Sequence, residues 1–134
     1  MSLDSCNSAE EWINICQLRK NIATCNQVGT PISSNMYLAV RISDDKIVGI
    51  IDLRHYIDHP ILGTWGGQSN YSVRLSERGK GYAKKMLRLN LSNAKELGIK
   101  DFLITYSDKN LASERAIIAN GGVYDRSIGV GNTI

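Results

Sequence analysis

Residues 78–83 read Arg-Gly-Lys-Gly-Tyr-Ala, and their types and spacing could bind a phosphate. Gly79 and Gly81 lack a Cβ, so the backbone can turn sharply and a diphosphate can approach its N–H groups. Arg78 and Lys80 add positive charge where the phosphate oxygens would lie. A helix that begins after this loop would add unpaired N–H groups and a positive end. The segment therefore predicts a diphosphate-binding loop; the alternative is a glycine-rich turn that binds nothing.

Two other phosphate-binding loops are disfavoured by the residues around Gly81. A Walker loop requires Ser or Thr after its Gly-Lys pair, but Lys80 is followed by Gly81. A dinucleotide fingerprint requires Gly or Ala three positions after its second Gly, and this chain has Lys84 there. Asp101 has the spacing of that fingerprint's ribose-binding acid, but it opens the next apolar run, so its contact would be misplaced.

The elements around the loop predict an α/β fold. Before the loop, Tyr71–Val73 has the aromatic and β-branched content of a strand. After it, a helix is predicted from apolar residues at spacings of three and four, namely Ala83, Leu87, Leu91, Ala94 and Leu97. Strands are predicted over residues 36–42 and 46–55, joined by a turn at residues 43–45. The alternation of strands and helices predicts a mixed sheet with helices on both faces.

A further helix is predicted over residues 9–25, ahead of the sheet. Ser8 is its expected N-cap, acidic residues lie in the first turn, and residues 29–31 end it. Its buried stripe is predicted to comprise Trp12, Ile15, Cys16, Leu18 and Ile22.

Residues 46–124 resemble the GNAT superfamily of acyl-CoA-dependent N-acyltransferases. The acetyl-CoA loop of that superfamily has the form Arg/Gln-x-x-Gly-x-Gly/Ala, which Arg78, Gly81 and Ala83 match. The later landmarks also occur in order: Leu97-Gly98-Ile99 after the helix, Phe102-Leu103-Ile104-Thr105 as a strand, Asn110, and Gly121-Gly122. The segments at residues 52–56 and 71–78 look most like a bacterial group of predicted small-molecule acetyltransferases.

The resemblance implies a mostly antiparallel sheet in which two central strands splay apart to admit the pantetheine arm of CoA. Val73 and Leu75 would offer backbone groups to that arm. The diphosphate would be held by the loop residues Arg78, Gly79, Lys80, Gly81, Tyr82 and Ala83. Asn110 resembles an Asn that contacts CoA, and its alternative role is to cap a helix over residues 111–120.

The resemblance also implies acetyl transfer from acetyl-CoA to a primary amine of a small molecule or peptide, without a metal. Many relatives have a Tyr that donates a proton seven residues after the Asn, where this chain has Ile117. Tyr106 is the nearest replacement by position, although it could simply pack on the sheet. His55 is the candidate base because its ordinary pKa suits proton abstraction near neutrality, with a structural role as the alternative.

Three other polar residues have weaker claims to a catalytic role. His59 lies in a predicted loop beside a proline. Gln68 occupies a position where relatives carry His, and an amide cannot act as a base. Glu77 precedes the loop and is expected to face solvent. Ile117, Gln68 and the short segment after Gly122 keep open a second interpretation, a non-catalytic acyl-CoA-binding module. A third interpretation is a site for nucleotide phosphates without CoA, which keeps the loop but not the match at Asn110.

The bulk properties suit one domain spanning residues 1–134. The net charge of +3 is spread along the chain apart from the loop region, where Lys84, Lys85 and Arg88 form either a basic rim for CoA or a solvated helix face. Nucleic acid and membrane partners are not expected. The lack of a recognisable signal and the spacing of Cys6, Cys16 and Cys25 predict a cytoplasmic protein with reduced thiols. The short segment after Gly122 predicts an exposed sheet edge and hence a possible homodimer.

Overall fold

The computed structural model describes residues 8–28, 32–55, 67–100, 102–107 and 109–124. In these ranges the helices are Ala9–Arg19 (α1), Tyr82–Glu96 (α2) and Leu111–Ala119 (α3), and the strands are Ser34–Arg41 (β1), Lys46–Arg54 (β2) and Tyr71–Val73 (β3). The strands form an open antiparallel sheet in the order β1-β2-β3. The α/β class predicted from the sequence is confirmed. Five positions discussed above lie outside the described ranges: Cys6, the predicted break at residues 29–31, His59, Asp101 and residues 125–134.

The β1–β2 hairpin has the predicted turn between its strands. Asp45 adopts a positive φ of 56°, a conformation that Asp tolerates in tight turns. The Asp44 carboxylate accepts hydrogen bonds from the Lys46 backbone N–H and the Arg41 guanidinium, which fixes both sides of the turn. The strands pair from Ser34 opposite Arg54 to Arg41 opposite Lys46, with a register irregularity at Ala39 and Val40.

The core lies between β2 and α2, where both elements contribute buried side chains. Leu53 and Leu87 are fully buried, and Met86 and Ala94 are nearly so. Gly49 on β2 allows this close packing, because a Cβ there would stand 2.9 Å from the Met86 sulfur. The predicted apolar stripe of α2 is only partly buried: Leu97 is exposed because the helix has already ended at Glu96.

The first helix begins as predicted but ends earlier. Ser8 is its N-cap, with the Ser8 Oγ accepting from the Glu11 N–H at 3.1 Å. The helix ends at Arg19 instead of residue 25, because the Asn21 side chain accepts from the Ala23 N–H and the Thr24 hydroxyl donates to the Leu18 carbonyl. Such local bonds compete with the helical ladder. Ile22, predicted to be buried, is therefore 52% exposed.

No helix in the described parts of the chain combines the length and the apolar character that crossing a bilayer requires. Among the described residues, neither Cys16 nor Cys25 forms a disulfide.

Candidate functional site

The loop before α2 owes its shape to its two glycines. A short 3-10 turn at Leu75–Glu77 leads out of β3, and the chain then reaches Gly79 with φ 80° and Gly81 with φ 82°. Side chains are strained in this left-handed conformation, which costs glycine little. A Cβ at either glycine would meet no described heavy atom within 4 Å. The loop therefore presents bare backbone beside open space.

The same loop carries a run of unpaired backbone donors. Within the described ranges, the N–H groups of residues 79–84 donate to no backbone or side-chain acceptor; the first helical bond is from the Lys85 N–H to the Gly81 carbonyl. Gly81 is the N-cap of α2 and has no side chain to satisfy these donors. An anion placed here would meet both free N–H groups and the positive end of a helix.

The two cationic side chains of the loop have partners within the protein. The Arg78 Nε donates to the Val73 carbonyl at 3.0 Å, which ties the loop to the end of β3. The Lys80 Nζ lies 2.8 Å from a Glu77 carboxylate oxygen. Lys84 and Lys85, which lie on the first turn of α2, are exposed.

Glu77 does not face solvent as expected; it is 4% exposed and is the centre of an ion-pair cluster. Its carboxylate lies 2.8 Å from the Arg41 guanidinium, 3.1 Å from the Lys46 ammonium and 2.8 Å from the Lys80 ammonium. The hydrogen bonds from Lys80 and Lys46, and then that from Arg41, lower the pKa of Glu77 to about 2 and outweigh the burial that opposes them. No local pattern in the sequence indicates this cluster, because its members come from three separate parts of the chain.

The segment at residues 102–107 is hydrogen-bonded to Gln68, which lies just before β3. The Gln68 N–H donates to the Leu103 carbonyl at 2.8 Å, and the Leu103 N–H donates to the Gln68 side-chain oxygen at 2.9 Å. A side chain thus takes the place that a backbone carbonyl would hold in a sheet ladder. The predicted strand over residues 102–105 is accordingly not paired in the described sheet. Gln68 is buried, and its role here is to join the two segments.

Beyond this contact the two segments enclose a cavity of about 140 Å³. Part of the β3 backbone can face this cavity. On either side of the strand, the Asn70 carbonyl and the Arg74 N–H bond to β2, which sets the direction of the backbone groups between them. By strand alternation, the backbone groups of Tyr71 and Val73 point away from β2, whereas those of Ser72 point toward it. The cavity is lined by Ser69, Asn70, Tyr71, Thr105, Tyr106, Asn110 and Ser113.

Two of the predicted site residues, Tyr106 and Asn110, come together in this cavity wall. Asn110 is the N-cap of α3, and its Oδ1 accepts from the Ser113 N–H at 3.1 Å, so the predicted capping role is confirmed. Burial and the neighbouring Glu114 carboxylate raise the pKa of Tyr106, which keeps its phenol protonated. Sequence reasoning missed Ser113 as a wall residue, although its spacing from the cap Asn110 placed it in the first turn of α3.

Val73 and Leu75 lie where β3 gives way to the loop. Val73 pairs with Gly49, and its carbonyl receives the Arg78 Nε. Leu75 belongs to the 3-10 turn, where its carbonyl accepts from the Arg78 N–H at 3.4 Å and its side chain is exposed. Tyr82 is the first residue of α2, and its hydroxyl accepts from Arg41 at 3.3 Å.

His55 does not line the cavity, and both of its ring nitrogens have partners. The Asn35 Nδ2 donates to the Tyr37 hydroxyl, which turns the Asn35 Oδ1 toward His55 Nε2 at 3.1 Å. His55 therefore donates through Nε2, and its Nδ1 accepts from the Ser33 hydroxyl at 2.7 Å. Burial lowers the pKa of His55 and favours this neutral form.

No group of three or more His, Cys, Asp or Glu side chains suited to a metal ion occurs among the described residues.

No curated protein and no solved structure gives a significant match to the chain. A family model described as an acetyltransferase (GNAT) domain, however, matches residues 4–123. That match spans well over half of the sequence and includes the loop, the cavity wall and all three helices. The chain is therefore a member of the GNAT acetyltransferases, a family that uses acetyl-CoA as its acyl donor.

Proposed function

We propose that this protein transfers the acetyl group of acetyl-CoA to a primary amine of a small molecule or peptide. The observation that carries the proposal is the run of unpaired N–H groups at residues 79–84, at the positive end of α2. This loop comes directly after β3, whose Tyr71 lines the polar cavity. One substrate that needs both a diphosphate site and a reaction cavity is an acyl-CoA thioester.

The loop fits the diphosphate of CoA by its shape as well as its charge. The open space beside Gly79 and Gly81 leaves room for phosphate oxygens, and the N–H groups of residues 79–84 supply donors. Arg78 remains next to this space while it braces β3, and Lys80 adds positive charge at the base of the loop. Residues 78–83 would thus all contribute to holding the diphosphate.

The pantetheine arm would lie between β3 and residues 102–107, where the two segments are not paired. The Val73 N–H, which alternation directs away from β2, supports the predicted backbone contact at this residue. Leu75 would contribute where the chain enters the loop. Asn110, at the far side of the cavity, can keep capping α3 through its Oδ1 while its amide N–H groups contact CoA.

Acetyl transfer requires a neutral amine to attack the thioester carbon and a proton to reach the departing sulfur. Tyr106, the sequence-based candidate for the donor, is supported by its place in the cavity wall. Its raised pKa makes it a weaker acid than an ordinary tyrosine. His55 stays a prediction with weaker support, since abstraction by Nδ1 would first break its bond to Ser33. The wall and the loop would otherwise act by orientation and by aiming backbone dipoles at the thioester.

A non-catalytic acyl-CoA-binding module is the second candidate function. It is favoured by Ile117, which stands where many relatives carry a tyrosine donor, and by the occupied nitrogens of His55.

Three further features stay predictions: the arrangement as one domain over residues 1–134, a cytoplasmic location and a homodimer.

Release of free thiol from acetyl-CoA, measured with a panel of primary amines, tests the proposal. We expect thiol release above the rate of hydrolysis with at least one amine, and mass spectrometry should show an acetylated product. Stabilisation by CoA in a thermal unfolding assay without any thiol release would instead identify the module. No stabilisation by CoA at all would refute both.

A further inference from the structure

Two hydroxyl groups meet in the wall of the cavity. The Tyr71 hydroxyl lies 2.5 Å from the Ser113 Oγ, and both residues line the cavity. Ser113 is 9% exposed, so its hydroxyl is largely withdrawn from solvent. This hydrogen bond joins β3 to α3 across the cavity wall.

Both partners are held by their own elements. The Ser113 N–H donates to the Asn110 Oδ1 at 3.1 Å, which fixes Ser113 in the first turn of α3. The Tyr71 backbone pairs with Ile51 in the sheet. Tyr71 is therefore held at its backbone by the strand and at its hydroxyl by the helix.

A proton donor must stay within hydrogen-bond reach of the leaving atom while the bond breaks. The cavity wall contains two phenols, those of Tyr71 and Tyr106. Tyr106 is 38% exposed, whereas the Tyr71 hydroxyl is held by a buried side chain. Ile117, at the position of the usual donor, has no proton to give. Tyr71 is thus the better placed of the two to replace it.

We propose that Tyr71, held by Ser113, is the catalytic acid that protonates the sulfur of CoA during acetyl transfer. The inference rests on the proposed function. The amine nitrogen attacks the thioester carbon, the carbon–sulfur bond breaks with its electron pair on sulfur, and the Tyr71 proton passes to the sulfur to form the thiol. The proton lost by the acylated nitrogen returns through water to the Tyr71 oxygen, so the amine loses one proton and the sulfur gains one.

Ser113 acts as a positioning residue in this step. While Tyr71 is deprotonated, the Ser113 hydroxyl can turn to donate to the phenolate oxygen, because either atom of the pair can be the donor. The positive end of α3, which begins at Leu111, favours the transient negative charge at the same place.

The test compares Tyr71→Phe, Ser113→Ala, the double variant and Tyr106→Phe in the full chain. Thiol release from acetyl-CoA is measured with the amine that wild type uses fastest, and CoA-induced thermal stabilisation reports folding and binding. We expect Tyr71→Phe to lower kcat by about 10²-fold or more, the usual effect of losing a general acid, with KM for acetyl-CoA almost unchanged. Ser113→Ala should lower kcat less, and adding it to Tyr71→Phe should cause no further loss, since Ser113 acts through Tyr71.

Ser113→Thr keeps a hydroxyl and should retain most of the kcat. A purely steric role of Ser113 does not predict this retention. The inference is overturned if Tyr71→Phe keeps the wild-type kcat, or if Tyr106→Phe causes the larger loss. If Tyr71→Phe fails to fold, a kcat of Ser113→Ala equal to wild type overturns it. Failure of wild type to release thiol with any amine is a separate result, because it refutes the proposed function itself.

Discussion

At the scale of single residues, the left-handed conformation of Gly81 serves both the fold and the proposed diphosphate site. Gly81→Ala should lower the free energy of unfolding by about 1–2 kcal/mol, the cost of placing an L side chain at its φ of 82°. The new Cβ would also enter the open space beside the loop, so CoA-induced stabilisation should be lost.

Gly98 offers a matched control for that substitution. It has a φ of 79°, has equally open surroundings and lies at the other end of α2. Gly98→Ala should carry the same stability cost and leave CoA-induced stabilisation intact. Equal effects of both substitutions on CoA binding would contradict the assignment of the loop.

Glu77 predicts a specific pH dependence of stability. Its pKa falls from an ordinary value of 4.5 to about 2 in the folded chain, so its stabilisation is complete above pH 4.5 and is lost as the pH falls toward 2. Glu77→Gln removes this titration. The difference in unfolding free energy between wild type and variant, measured by urea denaturation, should therefore shrink as the pH falls through this range. Asp44, whose pKa Arg41 lowers to about 2, titrates in both proteins. If the difference in unfolding free energy between wild type and Glu77→Gln stays constant with pH, the ion pairs around Glu77 do not stabilise the protein as predicted.

At the scale of secondary-structure elements, Asn110 combines a helix cap with a proposed CoA contact, and two substitutions separate these roles. Asn110→Ala should lower the free energy of unfolding by about 0.5–2 kcal/mol through loss of the cap. Asn110→Asp keeps a capping oxygen for the Ser113 N–H, so it should preserve most of the stability. It has no amide donors, however, and its negative charge would face CoA, so the apparent Kd for CoA should rise.

Ser8→Ala removes the cap of α1 and provides the control, with a similar loss of stability but an unchanged Kd. If Asn110→Asp binds CoA as wild type does, Asn110 is only a cap.

The contact between Gln68 and Leu103 joins residues 102–107 to the chain just before β3. Gln68→Met keeps the volume of the side chain but leaves the Leu103 N–H without its acceptor, which should cost about 1–3 kcal/mol of unfolding free energy. We also expect a higher KM for acetyl-CoA, because the two segments would lose their fixed separation. Gln17→Met on the exposed surface of α1 is the control and should change neither quantity. An unchanged KM in Gln68→Met would mean that other contacts hold the cavity open.

At the scale of the whole molecule, ligand binding and stability are linked. CoA at 100 times its Kd should raise the free energy of unfolding by about 2.7 kcal/mol, measured as a shift in Tm. ATP lacks the pantetheine arm, so at equal concentration it should stabilise the protein much less. Stabilisation by ATP equal to that by CoA would favour a general nucleotide-phosphate site. Because the net charge is +3 and CoA is anionic, added salt should weaken the effect.

Much of the architecture could be predicted from the sequence because it depends on local chemistry. Apolar runs on either side of a turn located the strands of the hairpin, and apolar residues at spacings of three and four located α2. Ser8 and Asn110 were recognisable as caps because a polar side chain precedes a helical segment at each. The loop was recognisable for the same reason, since only glycines allow the backbone angles that it adopts. The ends of the elements were less predictable: α1 ends early because Asn21 and Thr24 bond to nearby backbone groups.

Only the tertiary structure decided which distant residues meet. The burial of Glu77 depends on Arg41 and Lys46, which the sheet brings beside the loop, and no local pattern encodes that encounter. Likewise, the contact between Tyr71 and Ser113 joins residues 42 positions apart. Local propensities act over a few neighbours, whereas ion pairs and cavity walls require the chain to close on itself. The sequence therefore determined the glycine-rich loop before α2, and the tertiary structure determined the residues that surround the cavity.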